Sequence, residues 1–366
     1  MTYRLYIKTV SPLHVGTGEV YEPTEFFVHP KGYLGVLDFE RFIAHFDERE
    51  LRAFKQLCGR GTVESLVKLY ILVDGLAQKF LNQGIDDFVK RRIEVCAGFL
   101  SHYKEIQKLL DDPRKLKNEF KKFIIYRTAF SPNEEVPFIP GSAVKGAIRT
   151  AVLNLRRGRV KGKTWRDYCE RRCDGKQLES EILAYPGSRF QRDPFRLVRV
   201  SDFRPVGEVK TKIVYAVNRK KGGGSARGPH HILEVVEPGA LFEGEITILE
   251  AEKRAGIKNP ITFEEITEAL RSFYGRERAR EFEELDRLGA DPLDFPENNL
   301  PLRIGRHSGA ECVTIEGFRR IKIVQGRNRP PKFSDRATTF WLASEYKDST
   351  TSQGLKPFGW VALYEA

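Results

Sequence analysis

The stretch FIPGSAVKGAIRT, residues 138–150, predicts a turn that leads directly into a helix. Pro140 and Gly141 break the preceding chain, and Ser142 is placed to cap the helix by accepting a hydrogen bond from a first-turn amide. Apolar residues then recur at helical spacing and mark the face that we expect to be buried, namely Val144, Ile148, Ala151 and Leu155. The stretch therefore predicts an amphipathic helix that begins near residue 141.

A basic stripe follows a neighbouring face of this helix and consists of Lys145, Arg149 and Arg156. The first amides of a helix are unpaired and lie at the positive end of its dipole, so this end attracts anions. We interpret the helix start, with Ser142 and the basic stripe, as a candidate phosphate site. The alternative is an ordinary surface helix with solvated lysines.

Positive charge is concentrated around and after this helix. Residues 141–230 contain 22 Lys and Arg against 8 Asp and Glu, a local balance of 22 − 8 = +14, whereas the whole chain carries +12. Such a field suits a polyanion, because binding a nucleic acid releases counterions from its phosphates. A thermophile-type surface is the alternative, but it would mix both signs of charge. No strongly amphipathic apolar partner face accompanies the charge, which favours nucleic acid over a membrane surface.

Composition indicates a soluble globular protein that is large enough for two domains. The chain has 366 residues, of which 40% are hydrophobic and 31% charged. We find no run of membrane-spanning length and no signal-peptide core near Met1. The five cysteines are odd in number and irregularly spaced, which argues for a reducing compartment. We therefore expect a cytoplasmic protein.

Strand and helix patterns alternate around glycine loops, so the expected fold class is α+β. Residues 3–10 predict a first strand, 11–19 a tight glycine loop, and 47–122 a helical insertion. In the second half, we predict a long helix pair at 261–288, and strands at 195–203, 206–217, 231–236, 240–249, 301–304, 339–343 and 360–364. The expected domains are 1–192 and 193–366.

Two glycine loops are candidates for backbone contact with RNA. His14, Gly16 and Gly18 follow the first strand, and Gly305, Arg306, His307 and Gly309 follow a late one. Glycine lets a backbone approach a ligand closely, although a plain tight turn explains the first loop equally simply. A histidine in a protein is usually structural, but the neighbours of His307 favour an exposed loop that contacts phosphate or base.

Between two predicted strands, residues 218–229 form a glycine-rich basic finger. Its four cations are Arg219, Lys220, Lys221 and Arg227. A finger of this composition is expected to be flexible and to become ordered on binding phosphates. The alternative is a linker without a binding role.

Metal and catalytic motifs are weak. Cys169 and Cys173 could share a helix face and His230 adjoins His231, but no second cysteine pair stands at zinc-site spacing, so we predict no metal. His14 and His307 remain a conceivable acid–base pair, because metal-free ribonucleases use such pairs.

Together these elements resemble the repeat-associated RNA-binding (RAMP) proteins of CRISPR systems. The specific part is Pro-Gly-Ser-x-x-Lys-Gly-x-x-Arg at 140–149, preceded by SPLHVGTG at 11–18. RIGRHSG at 303–309 and KPFGW at 356–360 are similar to the second half of one branch, the Csm subunit that caps the 3′-end side of type III-A effector filaments.

The resemblance implies two ferredoxin-like (RRM-like) domains, binding of crRNA toward its 3′ end and a role in crRNA maturation. It also implies contact with the neighbouring Csm backbone subunit and the small helical subunit, and leaves open whether a processing nuclease is recruited. RNA-binding positions of the family map onto both glycine loops and onto the helix residues Ser142, Lys145 and Arg149.

Catalysis is where the chain departs from the family pattern. The related backbone subunit cuts RNA with a loop aspartate after its first glycine loop. Here the acids are Glu19, Glu22 and Glu25, and the first aspartate, Asp38, begins a helix. We therefore expect a non-catalytic subunit without a cofactor. Two alternatives stay open: a metal-independent endoribonuclease that uses His14 or His307, and the equivalent end subunit of a type III-B complex.

Overall fold

The structure is a computed structural model that describes residues 1–22, 24–120, 122–131, 134–168, 175–187, 189–226, 228–251, 256–325, 329–348 and 351–365. Its helices are α1 (Phe39–Ala44), α2 (Glu48–Cys58), α3 (Val63–Asn82), α4 (Phe99–Lys108), α5 (Pro113–Phe120), α6 (Gly141–Arg156), α7 (Gly175–Ile182) and α8 (Phe263–Arg287). In these ranges no helix is both long and apolar enough to cross a membrane.

The strands carry most of the topology. They are β1 (Thr2–Thr9), β2 (Gly16–Val20), β3 (Phe26–His29), β4 (Tyr33–Leu37), β5 (Val89–Val95), β6 (Ile125–Thr128), β7 (Phe130–Ser131), β8 (Val136–Pro137), β9 (Val198–Val200), β10 (Arg204–Pro205), β11 (Thr211–Lys220), β12 (His231–Val236), β13 (Leu241–Ile248), β14 (Leu300–Arg303), β15 (Ile321–Ile323), β16 (Lys332–Ser334), β17 (Thr339–Ser344), β18 (Lys356–Pro357) and β19 (Trp360–Glu365). The predicted mixture of helix and sheet is confirmed.

One sheet, which we call sheet A, joins the two ends of the chain. Its order is β10–β13–β1–β19–β14, with β9 also paired to β13, and its strands are antiparallel. Alternation along β1 buries Leu5 and Ile7 in a core that includes Val144 of α6 and Ile266 of α8. Sheet A is thus covered by the helix that the sequence singled out first and by the long late helix.

The second sheet, sheet B, has the order β2–β6–β12–β11–β5–β4–β3, with β17 on β11 and β18 on β17. Side chains of β11 alternate between its faces: Tyr215 packs toward α3, α4 and α5, and Ala216 belongs to a smaller cluster on the other face. Sheet B therefore has one face covered by helices and one face turned toward the glycine loops.

Each sheet combines strands from both sides of residue 192. Sheet A takes β1 and β19 from the two chain ends, and sheet B takes β2–β6 from the first half and β11, β12 and β17 from the second. The two sheets are therefore not divided along the predicted boundary.

Two of the predicted elements are wrong. The insertion at 47–122 is not helical throughout, because β5 pairs with β4 and β11 inside sheet B. The apolar spacing of Phe88 and Ile93 fits a helix, but both side chains are buried by strand packing. The predicted helix pair at 261–288 is the single helix α8, which continues through Gly275 without a break.

Buried carboxylates on α8 bind cations from later parts of the chain. Glu281 pairs with the Arg303 guanidinium and accepts a hydrogen bond from the Trp360 indole nitrogen at 3.2 Å. Both Glu281 and Arg303 are about 98% buried, each side chain being 2% exposed. Arg303 also donates through Nε to the Phe358 carbonyl oxygen at 3.0 Å. This ion pair fixes the end of β14, from which the second glycine loop begins.

We predict that Glu281→Ala destabilises the protein by about 3–5 kcal/mol, because it leaves the Arg303 charge buried and unpaired. The matched control is Glu283→Ala on the same helix, whose side chain is 70% exposed and whose loss should change stability by less than about 0.5 kcal/mol. Urea unfolding measures both. Equal effects of the two variants, or failure of the apolar pair Glu281→Leu with Arg303→Met to recover stability, would contradict the assignment.

Candidate nucleic-acid interface

The two glycine loops, far apart in the sequence, are in direct backbone contact. The Arg306 amide donates a hydrogen bond to the His14 carbonyl oxygen at 2.8 Å. Gly305 has a φ of +84°, and a Cβ at this position would lie 2.3 Å from the same oxygen. Only glycine can adopt this positive φ and approach the carbonyl oxygen so closely without strain. The loops therefore form one site.

The chain end closes the same junction. Gly359 donates from its amide to the Pro12 carbonyl oxygen at 3.0 Å, and the Ile304 amide donates to the Gly359 carbonyl oxygen at 2.9 Å. Gly359 has a φ of +81°, and a Cβ there would lie 2.2 Å from the Ile304 carbonyl oxygen. The late KPFGW motif thus holds the two glycine loops together.

Part of the first loop is a strand. The predicted loop at 11–19 is irregular only up to Val15, because β2 begins at Gly16 and pairs with β6, with a shift of register between Gly16 and Val20. Gly16 is required by packing, since a Cβ there would lie 2.7 Å from His14 Nε2. Gly18 has a φ of +95° and faces open space. The exposed glycines therefore lie on a sheet edge.

A cleft of about 290 Å³ opens where these loops meet. Its lining includes one carboxylate, that of the exposed Glu19, beside Gly16, Gly18, Tyr126, Arg127, Gly305 and Arg306. The Arg306 guanidinium lies 4.3 Å from the centre of the Tyr126 ring, and that of Arg127 lies 5.0 Å from the Tyr21 ring. Within the described part of the chain, neither arginine forms an ion pair, so both guanidinium groups offer N–H donors to a phosphate.

Beside this cleft three rings pack together, which we call the ring cluster: His231, His307 and Trp341. The Trp341 ring centre lies 4.8 Å from that of His231 and 4.7 Å from that of His307, at interplanar angles of 11° and 27°. The two imidazoles approach each other through His231 Nδ1 and His307 Nε2 at 3.4 Å. All three side chains are half-buried. Half-buried stacked rings of this kind are suited to stacking on nucleobases.

Burial keeps the histidines of the site neutral. It lowers the pKa of His14, and it lowers the pKa of His307 from 6.5 to about 3, assisted by His231 and Arg306. His231 is lowered in pKa for the same reason. His14 Nδ1 donates to the Glu234 carbonyl oxygen at 2.7 Å, which leaves Nε2 without a hydrogen. At neutral pH these imidazoles supply rings and hydrogen bonds rather than charge.

The start of α6 differs from its prediction. Ser142 does not cap the helix, because the N-cap is Pro140, which makes no side-chain cap hydrogen bond. The Gly141 amide instead donates to Asp202 Oδ1 at 2.8 Å. A Cβ on Gly141 would lie 2.4 Å from the carbonyl oxygens of Val200 and Ser201. The glycine of this motif therefore lets the helix start pack on the β9–β10 connection.

The basic stripe of α6 is engaged within the protein. Lys145 Nζ donates to the Val198 carbonyl oxygen at 2.7 Å. Arg149 pairs with Glu179 at 2.7 Å and with the buried Asp193 at 3.0 Å. Arg156 pairs with Glu265 at 2.5 Å. The RNA-binding role of these three residues stays a prediction, and a charge reversal at Arg149 would also destabilise the fold.

The first residues of the basic finger belong to strand β11. β11 extends through Lys220, and the Lys220 amide donates to the Gly224 carbonyl oxygen at 3.1 Å. Arg219 is buried and donates to the Thr351 carbonyl oxygen at 2.7 Å. Lys221 pairs with Glu284 and Glu311, each at 2.9 Å. Lys220 is exposed, and Arg227 lies outside the described residues.

The sequence-based prediction missed three residues of the site: Tyr126, Arg127 and Trp341. Tyr126 and Trp341 are brought there by strand pairing, since Tyr126 opposes Leu233 and Trp341 opposes Asn218, and Arg127 follows Tyr126 on the same strand. The sequence indicated His231 only as a possible metal ligand. Gly309 has a φ of +77° and lies close to the Arg303 guanidinium, so its role in the loop is conformational.

A metal site finds no support in the described ranges, where no group of three His, Cys, Asp or Glu side chains is arranged to hold an ion. Cys169 and Cys173 lie outside those ranges. His230 contacts the ring of His102 at 5.4 Å between centres.

We predict that acid weakens the fold through His307. An unfolded histidine with its ordinary pKa of 6.5 takes up a proton below that pH, whereas folded His307, with a pKa of about 3, does not. Stability is therefore complete above pH 6.5 and falls as the pH drops below it. The test variant is His307→Asn, because Asn tolerates the observed φ of +65°. Between pH 7.5 and 5.5 this variant should lose about 1 kcal/mol less unfolding free energy than the wild type loses. Equal losses in variant and wild type would refute this.

Comparison with known proteins identifies relatives along most of the chain. The model of the RAMP superfamily matches residues 6–290. A Streptococcus thermophilus protein named as the CRISPR system protein Csm5 is 26% identical over 323 residues, which cover 86% of this chain and 80% of the relative.

Two solved structures share the fold. One is a chain of a Csm–crRNA–target RNA ternary complex from a type III-A CRISPR-Cas system, with a TM-score of 0.64 at 21% identity over 100% of both chains. The other is Csm5 of T. onnurineus, with a TM-score of 0.54 at 19% identity over 98% of this chain and 99% of that one. Because the superfamily model spans more than half of the chain, the protein belongs to the RAMP superfamily.

Proposed function

We propose that this chain is a non-catalytic crRNA-binding subunit that caps the 3′-end side of a type III-A CRISPR effector complex and takes part in crRNA maturation. Membership of the superfamily and the similarity to Csm5 over most of both sequences support the assignment. The fold shared with a chain of a Csm–crRNA–target RNA complex is consistent with it. Its partners are then the crRNA, the neighbouring Csm backbone subunit and the small helical subunit.

The observation that carries the proposal is the cleft between the glycine loops. Arg127 and Arg306 present guanidinium groups that form no ion pair with any residue that the structure describes, whereas Lys145, Arg149 and Lys221 are engaged inside the protein. Exposed glycine backbone at Gly16 and Gly18 allows a sugar–phosphate chain to approach closely. We place RNA phosphates in this cleft and unstacked bases on the adjacent ring cluster.

Binding without cleavage is favoured by the state of the histidines. A general acid needs a protonated form at working pH, and burial lowers the pKa of both His14 and His307. The His14 ring is also nearly completely buried, being 1% exposed as a residue. These observations favour the non-catalytic role over the endoribonuclease alternative.

The domain organisation is part of the same proposal. We assign two ferredoxin-like units to the two sheets, each of which carries helices on one face. A boundary near residue 192 then divides the sequence into two segments, and each sheet contains strands from both of them.

RNA affinity is predicted to depend steeply on salt. For a single-stranded RNA, fluorescence anisotropy should show a loss of about tenfold or more between about 50 and 200 mM salt, because phosphate contacts release counterions. Arg306→Gln and Arg127→Gln should each lower the slope of log K against log salt by about 1.

The control for these variants is Arg52→Gln, which removes a guanidinium that is 78% exposed on α2, away from the cleft. It should leave both affinity and slope unchanged. A wild-type affinity that barely responds to salt, or equal slopes for all three variants, would overturn the placement of RNA in the cleft.

Assembly is predicted to be specific to type III-A partners. Co-purification of the tagged chain from its native host should recover the Csm backbone subunit and crRNA, because the proposed role is at the end of that filament. Recovery of type III-B subunits instead would assign the chain to the alternative complex. Recovery of neither set would contradict an effector role.

A further inference from the structure

A second cleft lies on the helix-covered side of sheet B. It measures about 400 Å³, and its lining includes Gly98, Ser101, His102, Tyr346, Lys347 and Asp348. His102 Nδ1 lies 2.9 Å from the hydroxyl oxygen of Tyr215. Tyr215 alternates on β11 with Ala216, whose face is the one that carries His231 and Trp341. The second cleft and the ring cluster are therefore on opposite faces of one sheet.

At the base of this cleft is an unpaired hydrogen-bonding group. His102 is 1% exposed, and its Nε2 has no partner among the described residues. The buried Tyr215 hydroxyl has the His102 ring as its partner there. With the hydroxyl as donor to Nδ1, the hydrogen of the neutral ring resides on Nε2. Burial lowers the pKa of His102 to about 4, in keeping with a neutral ring. A buried N–H without an acceptor is rare in folded proteins.

Other walls of the cleft fit a flat, uncharged ligand. Tyr346 is 56% exposed as a residue and is the aromatic residue of the lining besides His102. Lys347 is neutralised by Glu105 at 2.6 Å. Asp348 is exposed and forms no ion pair with a described residue, so its carboxylate can accept hydrogen bonds. A phosphate would face this carboxylate while the one cation of the lining, Lys347, is already paired, whereas a neutral ring with both donors and acceptors would not be repelled.

Gly98 shapes the entrance to the cleft. A Cβ at Gly98 would lie 2.9 Å from Tyr346 Cδ1 and 2.9 Å from the Glu345 carbonyl oxygen. The Gly98 amide donates to that carbonyl oxygen at 2.9 Å. This packing holds the segment that carries Tyr346 and Asp348 against the start of α4, so the walls of the cleft are fixed in position before a ligand binds.

We infer that this cleft binds one unpaired nucleobase. The ring of the base stacks on Tyr346, an acceptor on its Watson–Crick edge takes the hydrogen of His102 Nε2, and its amino group donates to Asp348. Single-stranded RNA is commonly recognised in this way, by a base turned out of the stack, held on an aromatic ring and read along its edge. The inference rests on the proposed function in one respect, namely that the base belongs to RNA. The chemistry of the cleft does not depend on that function.

The test uses the full chain and free nucleosides. The ligands are guanosine, adenosine and cytidine, and free ribose is the sugar control. Ligand-observed NMR should show saturation transfer to the base protons of the nucleosides and none to free ribose. Tyr346→Ala should weaken binding roughly five- to tenfold through loss of stacking, and Asp348→Ala should weaken it further for these amino-bearing bases. The matched control is Lys104→Ala, an exposed residue of α4 that does not line the cleft.

Tyr346 and Asp348 are exposed, so their variants should remain folded, as circular dichroism will verify. Absence of nucleoside binding, or binding that is unaffected by Tyr346→Ala, overturns the inference.

Arg306→Gln should retain nucleoside binding while losing RNA affinity, which separates this cleft from the first. A protein that binds nucleosides but not RNA would keep the base site and contradict the proposed function. Each nucleotide of the RNA can also be replaced in turn by an abasic one. If RNA affinity is unchanged at every position, the ligand of this cleft is a free nucleoside rather than a base of the RNA.

Discussion

The buried ion pair between Arg303 and Glu281 is the interaction on which the rest of the site depends. It joins α8 to the end of β14, and Arg303 also binds the Phe358 carbonyl oxygen. From this fixed point the chain turns through Gly305 onto the His14 carbonyl oxygen. Without a partner for the guanidinium, burial of Arg303 would be strongly unfavourable. Helix α8 therefore determines where the second glycine loop meets the first.

Positive charge is used in two ways in this protein. Around α6 and the finger, Arg149, Arg156 and Lys221 are engaged by carboxylates of the same chain, and these pairs tie helices to loops. At the cleft, Arg127 and Arg306 instead lie against aromatic rings. The basic window in the sequence therefore overstates the charge that is available to a polyanion there, and the cations best placed to bind phosphates lie outside that window.

Local patterns predicted much of the fold and little of the site. Apolar strand patterns predicted β12, β13 and β19, of which β13 buries alternate residues and the other two are buried along most of their length. Strand β5 was missed because its apolar residues match helical spacing equally well. Glycine loops were predicted as such, yet their contact depends on β1 and β19 pairing in sheet A. Trp341 and Tyr126 reach the site only through strand pairing in sheet B, which no local pattern contains. Ser142 was misassigned because the amide at the helix start binds a distant aspartate, Asp202.

In the proposed function, the cleft between the glycine loops and the ring cluster together form the RNA-contacting surface. Photo-crosslinking of a 4-thiouridine-containing crRNA in the assembled complex, followed by mass spectrometry of the crosslinked peptides, tests it most directly. We expect crosslinks to peptides that contain Tyr126, His307 and Trp341. Crosslinks confined to α6 and the finger, with none to those three peptides, would contradict it.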